Sequence, residues 1–81
     1  MTRESSDQPD AVAGVVKRFD ADEGWGVVDS PEVPGGCFVH FSHIEASGYR
    51  VLHAGQHVRF TFERPGQDGC AYRAISVWPE Q

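Results

Sequence analysis

Hydrophobic and polar positions alternate along this chain in short runs separated by Gly, Pro and Asp. The first run, AVAGVVKRF, is rich in valine and leads into DADEG, the pattern of a strand followed by a turn. WGVV predicts a second strand, stopped by the Pro/Gly loop SPEVPGG, and CFVHF predicts a third. SHIEASGYRVLHAG has no clear alternation and reads as a connection with one helical turn around Ser42 to Ala46. QHVRFTFER alternates well, with Val58, Phe60 and Phe62 on one face and His57, Arg59, Thr61 and Glu63 on the other. After the turn PGQDG, CAYRAISVW predicts the last strand, with Pro79 just beyond it. Short strands at roughly 10-residue spacing, with no convincing helix, predict an all-β sandwich or barrel. A five-stranded barrel has the advantage of closing its own edges.

The same alternation assigns faces. Val28, Cys37 and Val39 make a sensible core set, which leaves Trp25, Val27, Phe38 and His40 on the opposite face of the second and third strands. Pattern alone also allows the reverse, with Trp25 and Phe38 inside, because aromatic rings usually pack there. Gly24 and Gly26 on either side of Trp25, and a histidine on the face of Phe38, favour the outward placement. Flat rings in a row stack on unpaired bases with little dependence on sequence. Lys17 and Arg18, on the adjoining strand, are placed to meet phosphates.

Composition narrows this picture. At 81 residues the chain is expected to form one domain, spanning 12–78 after a polar tail, 1–11, that reads as disordered. The net charge of −5 argues against strong charge-driven binding to nucleic acid, so any such binding must rest on stacking. No apolar run approaches the ~20 residues of a membrane span, and the N-terminus lacks the apolar stretch of a secretory signal. The expectation is therefore a cytoplasmic location. Cys37 and Cys70 are too few for a disulfide scaffold and read as small strand hydrophobes. His40 and His43 lack the further ligands of a metal site, and no cofactor is expected. His57 reads as solvated, and Trp78 reads either as a cap on one barrel end or as an exposed contact. No nucleophile with a base, no phosphate-cradling loop and no carboxylate pair in a cleft appears, so no enzyme activity is expected.

GVVKRFDADEGWGVV followed by CFVHFSHI resembles the cold-shock domain, with its G-x-V-K-W-F-N-x-x-K-G-F-G-F-I and V-F-V-H-F-S-x-I stretches. The similarity continues through GYRVLHAGQHVRFTFE and fades in RPGQDGCAYRAISV, covering about Ala13 to Val77. The resemblance implies a five-stranded antiparallel barrel of the oligonucleotide-binding type (an OB-fold). It also implies single-stranded RNA or DNA as ligand, and a role as RNA chaperone or as transcription or translation regulator. Carried over by position, the binding face comprises Lys17, Phe19, Trp25, Phe38, His40, Phe41 and Tyr49, with the departures Arg18 and Val27 beside them. Arg18 stands where the family has Trp, Glu23 where it has Lys, Val27 where it has a second aromatic, and Trp25 where it has Phe. An arginine can both stack on a base and meet a phosphate. Losing one stack costs ~1–3 kcal/mol, and Glu23 turns one phosphate contact into a repulsion, so together binding weaker than a typical member's is expected, by about one to three orders of magnitude. The chain is expected to act as a monomer, without a membrane or a small-molecule substrate. The alternative reading is that the acidic drift marks a barrel whose aromatic face serves a protein partner or self-association.

Overall fold

The computed structural model describes residues 11–46 and 50–80. Five strands follow one another: β1 (Val12–Asp20), β2 (Trp25–Asp29), β3 (Cys37–His40), β4 (His57–Glu63) and β5 (Tyr72–Pro79). They close into a barrel in the order β1-β2-β3-β5-β4. Every pairing is antiparallel except β3 with β5, where Cys37 lies beside Tyr72 in parallel. The all-β five-stranded barrel expected from alternation is thus present. The short helical segment is a 3-10 turn at Phe41–His43, slightly earlier than expected. The last strand begins at Tyr72 and takes in Pro79, so Cys70 lies in the loop before β5 and not on a strand. The residues 1–10 of the expected disordered tail, and Tyr49, lie outside the described residues.

Alternation explains most of the core. Val16 from β1, Val28 from β2, Cys37 and Val39 from β3, Val58 and Phe60 from β4, and Ala74 and Val77 from β5 pack together inside the barrel. Two irregular segments add to them. Val33 in the Pro/Gly loop, and Ile44 and Leu52 within the long connection, are equally buried and belong to the same core cluster.

β1 departs from strict alternation. Val16 pairs with Val28 and Arg18 pairs with Val27, so Lys17 is an extra residue against β2. This bulge re-aims the strand, as bulges do. With Gly14 and Val16 facing inward, uninterrupted alternation would send Arg18 inward too. The shift instead brings Arg18 out beside Val27 and leaves Phe19 partly packed against the core.

The two thiols differ. Burial, and next the nearby Cys70, push the Cys37 thiol up to about 12 from an ordinary 9.0. Cys70, in its partly exposed loop, is raised mainly by burial, with Arg18 and Lys17 opposing. Only the thiolate attacks an alkylating agent, and a raised pKa means less of it. At pH 8 to 9, Cys70 is expected to react with iodoacetamide while Cys37 stays unmodified in the folded protein. Mass spectrometry of the native and urea-unfolded protein checks this, and equal native labelling would contradict it.

Candidate functional site

The outer face of β2 and β3 carries the expected residues. Trp25 lies opposite His40, and Val27 lies opposite Phe38, while Val28 and Val39 are wholly buried on the other side. The outward assignment of the aromatic face therefore holds. The rings do not stand open, however. Trp25 stacks on Phe38 with centroids 5.2 Å apart and planes 28° apart. Phe38 is left 6% exposed and Val27 5%. Glycines beside Trp25 keep its own strand from shielding the ring, but Phe38 on the neighbouring strand stacks on it. Offset stacking of this kind is a favoured aromatic geometry.

Trp25 is held from three directions. Phe38 reaches it from β3. From β1, on the other side of β2, the Arg18 guanidinium carbon lies 5.9 Å from the ring centroid, within cation–π range. At the edge, the indole Nε1–H donates to Glu23 Oε1 at 3.2 Å. The Glu23 carboxylate thus has a local role that its charge alone does not predict. Asp20 also has one: its Oδ1 accepts from the backbone N–H of Asp22 and Glu23, which fixes the β1–β2 turn.

His40 and Phe41 continue the surface at the end of β3. Their ring centroids are 4.6 Å apart, and His43 lies 6.3 Å beyond His40. His40 caps the 3-10 turn, its Nδ1 accepting from the Ser42 backbone N–H at 3.2 Å and touching Ser42 Oγ at 2.8 Å. With Nδ1 used as an acceptor, the neutral ring carries its proton on Nε2, a donor for an incoming oxygen. Phe41 is 44% exposed, and its backbone N–H donates to the Gly24 carbonyl at 2.8 Å. The Phe41 ring lies over Gly24, which has φ +79°; a Cβ there would sit 2.8 Å from Phe41 Cδ1. Glycine is needed at this position for its left-handed backbone and for the space it leaves.

Phe19 lies between two clefts on either side of the β1–β2 turn, one shared with Phe41 and Arg50, the other with Arg18 and Trp25. Lys17 and Arg18 are both exposed beside the aromatic face. One residue of this face was not singled out by sequence reasoning. Arg73 on β5 pairs with Phe38, which puts it on the same outer surface. Its position follows from the parallel closure, for which the sequence holds no local signal.

The chain matches the family described as "'Cold-shock' DNA-binding domain" over residues 12–79, a span that takes in all five strands. It is 47% identical over 69 residues to the Major cold shock protein CspA of Bacillus cereus, covering 83% of this chain and 98% of that protein. It is 41% identical over 58 residues to the Cold shock-like protein CspB of Yersinia pestis, covering 72% of this chain and 81% of that protein. With the Cold shock-like protein CspB of Escherichia coli (strain K12), identity is 38% over 64 residues, covering 79% and 90%.

Proposed function

The chain belongs to the cold-shock domain family, and we propose that its aromatic face binds single-stranded RNA or DNA by stacking unpaired bases. The observation that carries this reading is the Trp25–Phe38 stack at the surface, continued by the His40–Phe41 pair. Trp25, His40 and Phe41 would take bases, with Phe38 supporting Trp25 from beneath and Phe19 closing the cleft beside the turn. Lys17 and Arg18 would take phosphates, and the family resemblance adds Tyr49, outside the described residues, to the proposed contacts. Such a surface holds strands open passively, as an RNA chaperone or a transcription or translation regulator does, and needs no catalytic group.

Affinity is expected to fall below that of members with an aromatic at Val27 and a cation at Glu23. Val27 cannot stack, and the net charge of −5 opposes the approach of any polyanion. Pyrimidine-rich stretches are the preferred ligands, since their weak self-stacking leaves bases free.

Trp25 and Trp78 are the only tryptophans, so Trp78→Phe leaves Trp25 as the single reporter. Titration of that variant with oligo-dT at low salt should quench its fluorescence saturably. A flat titration of the folded variant would set the stacking reading aside.

A further inference from the structure

Strand register joins the outer residues into one continuous row. Arg18 pairs with Val27, Val27 with Phe38, Phe38 with Arg73, and Arg73 with Glu63. The row crosses all five strands in barrel order, apolar in the middle with an arginine on each flank. The two arginines are held differently. Arg18 rests on the Trp25 ring. The Arg73 Nε–H donates to Glu63 Oε2 at 2.7 Å, with 42% and 45% of the two side chains exposed.

We propose that Arg73 is a phosphate contact of the binding face and that Glu63 competes with the ligand's phosphodiester for it. This rests on the nucleic-acid reading above. A carboxylate and a phosphodiester offer a guanidinium the same kind of anionic oxygen. The pair is half exposed, so exchanging one oxygen for the other removes little from water. Arg73 sits one strand from Phe38, a spacing of about 4.8 Å, so its long side chain can reach the phosphate of a base held over the Trp25–Phe38 stack.

The competition has a thermodynamic signature. A cation of the protein that neutralises a phosphate normally releases a counterion from the strand, which makes binding salt-dependent. At Arg73 the entering phosphate must also displace the Glu63 carboxylate, and salt weakens that exposed ion pair as well. Rising salt thus weakens the competitor along with the ligand. Arg73 therefore adds affinity with little salt dependence, until the charge at Glu63 is removed.

The test is a cycle of Glu63→Gln, Arg73→Gln and the double variant, each titrated with oligo-dT across a salt series. Glu63→Gln is expected to bind more tightly at low salt and to steepen the slope of log K against log salt by up to about 0.7, the value of one phosphate contact on a single strand. Its advantage should then shrink by up to about fivefold over a tenfold rise in salt. In the Arg73→Gln background the same change at Glu63 should leave the slope as it was. Equal steepening in both backgrounds would mean that Glu63 acts by long-range repulsion, and would overturn the competition. No steepening in either would overturn the contact itself.

An abasic strand, which offers phosphates and no bases, separates this proposal from the stacking reading. The Arg73 Nε–H resonance is expected to move as the abasic strand is added. If it stays in place while oligo-dT still quenches Trp25, Arg73 is excluded and stacking stands. If it moves while Trp25 is not quenched, the phosphate contact stands and stacking falls.

Discussion

Trp25→Ala should weaken the binding of a single strand about 5- to 150-fold, the equivalent of the ~1–3 kcal/mol carried by one base stack. The effect is set by what remains on the strands. Val27 has no π-face, and Phe38 is nearly covered, with Trp25 stacked on it. Removing Trp25 uncovers part of Phe38; a base that stacks there instead holds the loss toward the lower bound. The slope of affinity against salt should stay nearly constant, since an uncharged ring releases no counterions. That constancy separates loss of a stack from loss of a cation at Lys17 or Arg18. The measurement is fluorescence anisotropy of labelled oligo-dT over a salt series, with circular dichroism confirming the fold. Unchanged affinity in a folded variant would remove Trp25 from the interface.

Much of this arrangement is legible in the sequence because period-2 alternation is a local property. Val28, Cys37 and Val39 against Trp25, Val27, Phe38 and His40 can be sorted by parity, and the structure keeps that sorting. The parts that were not legible depend on relations between distant segments. The bulge at Lys17 exists only as a mismatch between β1 and β2, and it decides that Arg18 faces outward. Ile44, Leu52 and Val33 enter the core from stretches with no periodicity, where alternation assigns no face. Arg73 reaches the aromatic face through a parallel contact between β3 and β5, two strands separated by the whole of the connection and β4. Exposure is not legible for a related reason. Parity says that Phe38 leaves the core, but it does not say that the Trp25 ring from β2 stacks on it.

Gly26→Ala should destabilise the domain by ~1–3 kcal/mol, the usual cost of forcing an extra methyl group into a packed site. Gly26 faces Phe19 across the β1–β2 pair. A Cβ on it would lie 2.2 Å from the Arg18 carbonyl oxygen and 2.7 Å from Phe19 Cα. Both are backbone atoms, so no change of rotamer relieves the clash, and the two strands must part. In a domain of this size each kcal/mol moves the midpoint by about 4–8 °C, so a thermal scan should show Tm falling by about 4–24 °C. Function should fail along with stability, because the residues carried by that strand pair are Arg18 and Trp25. Parting the strands draws the guanidinium away from the indole ring and loosens the stack on Phe38. The variant is therefore expected to bind oligo-dT more weakly even at temperatures where it remains folded. If Tm and affinity both match the parent protein, β1 and β2 do not approach as closely as described at Gly26, and the support given to Trp25 by Arg18 would have to be discarded.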